Sequence, residues 1–233
     1  MGAFFETLLE PLRAKSARYL LLALVLQGVY WYNVAPAPGA ASSTINSAIG
    51  RIAITLVLFL LVPLVAMIWW DKLSFQQLRR RWLTWGDISA GLVPTLICSM
   101  VAIIALWFGS SDTQLQATYP WAGAWAGASL INLLIWSLLR LAYYLAFEFF
   151  YRGFLLVTMR ENHGLVIAIW LQASCSFLIH LGTPTAEVIA ALPAGFLFAA
   201  LALRGRSLVY PILFHWIIGM STDIFCLYRL GLW

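Results

Sequence analysis

Charge is what this chain has least of. Only 10% of its 233 residues are Asp, Glu, Lys or Arg, while 63% are hydrophobic and the mean hydropathy is +0.88. A soluble domain carries about a quarter charged residues. Side chains this apolar cannot coat a water-facing surface, so a water-soluble globular domain is excluded and lipid is the solvent for most of the chain. Cysteine is scarce as well. Cys98, Cys175 and Cys226 all fall in apolar segments with no close-spaced pair, which argues against a disulfide framework or a thiolate metal site. Glu6 and Glu10 precede the first apolar run and no small-residue cleavage site follows, so this start reads as retained rather than as a cleaved signal peptide. No internal repeat is visible.

The net charge of +5 is not a nucleic-acid footprint. The basic residues sit between apolar runs: Arg13, Lys15 and Arg18; Lys72 and Arg79 to Arg81; Arg204 and Arg206. Cationic loops of this kind mark the cytoplasmic side of a membrane protein. The expected partner is therefore the bilayer, with no nucleic acid, and the N-terminus is expected in the cytoplasm. The cysteine-poor, arginine-rich pattern suits a bacterial inner (plasma) membrane.

A spanning helix needs roughly 20 apolar residues. Phe4, Phe5, Leu8 and Leu9 suggest a short amphipathic lead-in. Spans are then expected at about 17–35, 50–70 and 88–109, with a Pro/Ala/Gly/Ser-rich loop after the first and a basic surface helix after the second. From Ala122 to Met159 the chain is apolar apart from Arg140, Glu148 and Arg152, a length of about 57 Å as helix. Either a kink divides this stretch or one long helix leaves the hydrocarbon. Further spans are expected at about 165–181, 185–203 and 208–228. The expected fold is all-α: a polytopic transmembrane helical bundle of about seven spans, six to eight. Residues 1–121 form scaffold helices and 122–233 the functional core.

A charge at mid-bilayer costs at least about 2.5–3.5 kcal/mol, so ionisable residues there are functional candidates. They are Arg140, Glu148, Arg152, His180, Glu187, His215 and Asp223, all in the second half of the chain. Glu148 and Arg152 lie one turn apart on one helix face, which reads either as an ion pair that lets the helix insert or as an aimed carboxylate. His215, Gly219 and Asp223 follow at four-residue steps and share one side of the last helix.

These residues carry a resemblance. Glu148-Phe-Phe-Tyr-Arg152-Gly153, His180 closing the next helix, and His215 after Arg204-Gly-Arg-Ser207 and Tyr-Pro-Ile-Leu-Phe resemble the three ordered motifs of the CAAX protease and bacteriocin-processing (CPBP, Abi-like) intramembrane proteases. The likeness covers about residues 137–225. It implies a membrane-embedded endopeptidase acting on membrane-associated, prenylated or leader-type peptides. On that reading Glu148 and His180 activate water, His215 stabilises the oxyanion and Arg152 fixes Glu148. Asp223 would orient His215, and Glu187 would add polarity. The family has been described as both metal-dependent and glutamic, so zinc on Glu148, His180 and His215 is one expectation, without a HExxH pattern to accompany it.

Three positions depart from the pattern. Phe147 stands where the family has its first glutamate, Ser176 where it has a phenylalanine, and Gly219 where it has an asparagine. The chain therefore fits either a divergent protease or a catalytically inactive protease-like scaffold that binds its partner.

Overall fold

The structure, a computed structural model, describes Glu6, Glu10 and residues 14–34 and 44–233. The expected amphipathic lead-in at Phe4, Phe5, Leu8 and Leu9 lies outside the described residues, as does most of the Pro/Ala/Gly/Ser-rich loop.

The described chain is helical throughout its spans. Helix α1 covers Lys15–Val34. α2 covers Ile45–Asp71 and contains a π-helical turn at Leu56–Leu61. α3 is the short basic helix Phe75–Trp82, and α4 is Ile88–Gly109. α5 (Thr113–Thr118) and a 3-10 turn (Gly123–Gly127) lead into α6, Leu130–Glu148. A second π-helical turn, Phe149–Leu155, joins α6 to α7, Leu156–Leu178. α8 (Thr185–Gly205) and α9 (Val209–Arg229) complete the bundle.

Among the described residues five helices are long and apolar enough to cross a membrane, one of them the 49-residue stretch Leu130–Leu178. That stretch breaks at Gly164, where φ is 80° and ψ 172°, a conformation open to glycine and strained for other residues. It therefore supplies two legs. The described residues thus supply six such legs, at the lower bound of the expected six to eight; α1 has spanning length but a charged first turn and is not among them. The long helix starts at Leu130 rather than Ala122, because the residues between turn sharply around the 3-10 segment. It runs through its π turn and ends at Gly164 rather than Met159.

The outward side chains are those that lipid requires. On α4, Val93, Leu96, Ile97, Met100, Val101, Ile104 and Phe108 are all more than half exposed, an apolar surface that water would not tolerate at this extent. The helix ends are capped from the sequence: Thr44 with Ser47 and Ser74 with Gln77 form capping boxes, and Asp87 accepts from the Ala90 N–H.

The basic loops gather at one end. Lys15 pairs with Asp71 at 2.9 Å, Leu208 N–H donates to Trp82 O at 2.9 Å, and Asp87 N–H to Gly205 O at 2.9 Å. Tyr210 reaches the Trp85 carbonyl from the same end. At the other end, Thr185 N–H donates to Gln114 Oε1 and Arg229 to the Trp107 carbonyl, beside the acidic loop of Asp112.

The two π turns meet in the core. Phe59, from the first, stacks on Phe150, from the second, at 4.2 Å and on Tyr30 at 4.5 Å. Each π turn adds a residue to the helical repeat, seen in Leu156 N–H bonding Tyr151 O, and such turns concentrate at functional sites. The second begins directly after Glu148, buries all seven of its residues and contains Arg152. Tyr151 O–H donates to Gln27 Oε1 of α1 at 3.1 Å, which with the Phe59–Phe150 stack from α2 packs this turn against both helices; Tyr30 of α1 also shares a hydrogen bond of 2.9 Å with Tyr143 of α6.

Candidate active site

Arg140, Tyr144, Glu148 and Arg152 follow one another at four-residue steps and so line one side of α6 and its π turn. The facing side of α9 carries Asp223, Gly219 and His215. The two stripes pair in antiparallel register: Arg140 with Asp223, Tyr144 with Gly219, Glu148 with His215.

Glu148 is the centre of the third rung. His215 Nδ1–H donates to its Oε1 at 2.6 Å, and Arg152 Nη1 lies 3.3 Å from each of its oxygens. The Glu148 side chain is fully buried, whereas that of His215 is 15% exposed. The cation of Arg152 compensates the carboxylate, as a buried charge requires. With its Nδ1 proton given to Glu148, His215 keeps its lone pair on Nε2.

His180 turns elsewhere. Its Nδ1–H donates to the Ser176 carbonyl at 2.7 Å, so it too keeps Nε2 unprotonated. The expectation that His180 partners Glu148 gives way to a Glu148–His215 pair, because the carboxylate is sealed between α9 and the π turn. Phe147 stands with both histidines, its ring centroid 5.2 Å from His215 and 6.2 Å from His180. An apolar ring thus fills the place of the family's first glutamate.

The first rung is a structural pair. Arg140 Nε lies 3.0 Å from Asp223 Oδ2, which also accepts from Trp136 Nε1–H at 2.9 Å. The guanidinium carbon of Arg140 lies 4.7 Å from the Trp121 ring and 4.8 Å from that of Tyr144, a cation held among aromatic faces. Asp223 therefore does not orient His215, as the sequence suggested; Glu148 does.

Above these rungs is a cavity of about 210 Å³. Phe147, His180, His215, Gly219, Tyr144 and Glu187 line it, and Leu106, Tyr119 and Trp121 reach it from before residue 122. Arg140 and Arg152 also touch it, but Glu148 does not. Among the described residues no group of three or more His, Cys, Asp or Glu is placed to hold a metal ion. The zinc set Glu148, His180 and His215 is not assembled: Glu148 is bound by Arg152 and His215, and Phe147 stands with both imidazoles. The residues present do not fit a metal.

A polytopic helical membrane protein with a buried Glu–His pair under an interior cavity is the class that fold and site define. The model of the family described as Type II CAAX prenyl endopeptidase Rce1-like matches residues 131–221, which include Glu148, Arg152, His180 and His215. The resemblance to CPBP-type intramembrane proteases holds over that stretch. The searches of curated proteins and of solved structures gave no match.

Sequence reasoning missed Tyr144. The signal was present, since it lies one turn before Glu148, but a tyrosine in an aromatic-rich helix does not stand out as a charge does. The rung partners of α6 were also not readable from α9 without the register between them.

Proposed function

We propose that this protein is an intramembrane endopeptidase in which His215 is the base and Glu148 the residue that holds it. The observation that carries this reading is the 2.6 Å hydrogen bond from the cavity-lining His215, through Nδ1–H, to a fully buried carboxylate behind it. That arrangement directs the Nε2 lone pair to the proton of a cavity water, as in other carboxylate–histidine pairs. The proton of that water passes to His215 Nε2 as its oxygen bonds the scissile carbonyl carbon, and the carbonyl electron pair moves to oxygen. When that pair returns, the C–N bond breaks and the departing amine takes the proton from His215. Glu148 stays ionised and offsets the imidazolium, with Arg152 keeping it so. His180 offers Nε2 as a second acceptor for the water.

These roles differ from those the motifs alone suggested, because Glu148 does not touch the cavity. The aromatic lining suits an apolar, membrane-borne peptide, with prenylated and leader-type peptides as the classes to try. The gathering of the basic loops at one end supports a cytoplasmic N-terminus in a bacterial inner membrane.

One observation favours a second reading. Phe147 sets an apolar ring near both histidines, where the family's pattern has a water-activating carboxylate, as expected of a protease-like scaffold that binds peptides without cutting them.

Purified protein in liposomes, given prenylated and leader-type fluorogenic peptides, separates the two. His215→Ala and Glu148→Gln should each lower turnover by about 10²–10⁴-fold while the protein stays folded. Binding without cleavage by the wild type, or full activity in folded His215→Ala, defeats the endopeptidase reading.

A further inference from the structure

We infer that the Tyr144 hydroxyl is the oxyanion donor of this site and that Gly219 is a glycine to make room for it. The inference rests on the endopeptidase reading and adds a catalytic residue to it. The second rung of the α6–α9 register supplies the geometry. A Cβ built on Gly219 would overlap the Tyr144 hydroxyl oxygen, so the phenol takes up volume that a side chain at 219 would need. Both residues line the cavity, and the Tyr144 ring stacks on the His215 ring with centroids 4.2 Å apart. A donor there sits one turn of each helix from the base, within reach of a carbonyl under attack by the water that His215 holds.

The neighbouring hydroxyls are engaged. Tyr143 shares its hydrogen bond with Tyr30, Tyr151 donates to Gln27, and Thr222 donates to the Ile218 carbonyl at 2.9 Å. Among the described residues no group is hydrogen-bonded to the Tyr144 hydroxyl, which leaves its proton for a ligand. Such a donor, fixed in advance on the wall of this partly enclosed cavity, acts on the charge that forms on the carbonyl oxygen. The proton stays on Tyr144 throughout; the step is a hydrogen bond that strengthens as the oxygen becomes negative.

The test is Tyr144→Phe, which keeps the ring, its stacking and the occupied volume. In liposomes it should lower kcat by about 10²–10³-fold, with KM and the melting temperature unchanged. Tyr144→Ala with Gly219→Asn should regain part of the kcat that Tyr144→Ala loses, since removing the phenol frees the volume for an amide donor. Wild-type kcat in Tyr144→Phe, alongside an inactive His215→Ala, overturns the inference and leaves the endopeptidase reading standing. If no peptide is cleaved, that reading fails, and binding of a peptide phosphonate, a fixed tetrahedral anion, decides the role of Tyr144. Wild type should bind it at least about tenfold more tightly than Tyr144→Phe, with no such gap for the parent peptide. Equal binding, or none by wild type, overturns the inference.

Discussion

Arg140 and Asp223 form a buried ion pair: Nε and Oδ2 stand 3.0 Å apart, with the two side chains 3% and 0% exposed. Removing one member of such a pair leaves the other charge uncompensated. Asp223→Ala should therefore cost about 3–5 kcal/mol, read as a fall in the unfolding midpoint in detergent. Arg140→Met with Asp223→Leu should recover much of that loss, and a single variant as stable as wild type would contradict the pairing.

Phe147 tests what a second carboxylate would do. Its ring lies near both histidines and is 3% exposed. Phe147→Glu places a carboxylate beside both imidazoles and should raise peptide turnover by about tenfold or more. A folded variant with unchanged or lower turnover would count against a cavity short of a base.

Tyr210 packs its ring into two helices at once. A Cβ on either Gly91 or Gly205 would collide with that ring, whose hydroxyl reaches the Trp85 carbonyl. Gly205→Ala should cost about 1–3 kcal/mol through overpacking, seen in the same unfolding assay. Gly28→Ala is the control, since nothing lies within 4 Å of a Cβ there.

Asp87 gives a pH signature at the basic end. The Ala90 N–H, followed by the Ser89 hydroxyl, holds its carboxyl below the ordinary value near 3.8. A depressed carboxylate adds stability above its unfolded value, and that stability is lost as pH falls through the folded value. Asp87→Asn keeps a capping oxygen without the charge. The melting temperatures of wild type and this variant should differ at neutral pH and converge below about pH 3.8; a constant gap down to about pH 3 would refute the assignment.

The spans were legible because lipid imposes length and apolarity directly. Residues 88–109, 185–203 and 208–228 were read within two residues of the helices Ile88–Gly109, Thr185–Gly205 and Val209–Arg229. The start of the long stretch was not, since Ala122 to Ser129 is as apolar as a helix yet turns. Its π turn was not read either, although Gly153 lies inside it, because a single glycine does not distinguish a π turn from a continuous helix. Glu148, Arg152, His180 and His215 were found by type and spacing. Their partners were not, because the choice between His180 and His215 for Glu148 depends on how α9 sits against α6.

The exclusion between Tyr144 and Gly219 reaches beyond this chain. A backbone at this crossing has room for one polar group, delivered from α6 or from α9 but never from both. Drift between the two solutions must therefore pass through a sequence with neither, or change both codons together. Related chains should show the two positions covarying: a side chain at the place of 219 accompanies a small residue at that of 144, and glycine accompanies the phenol.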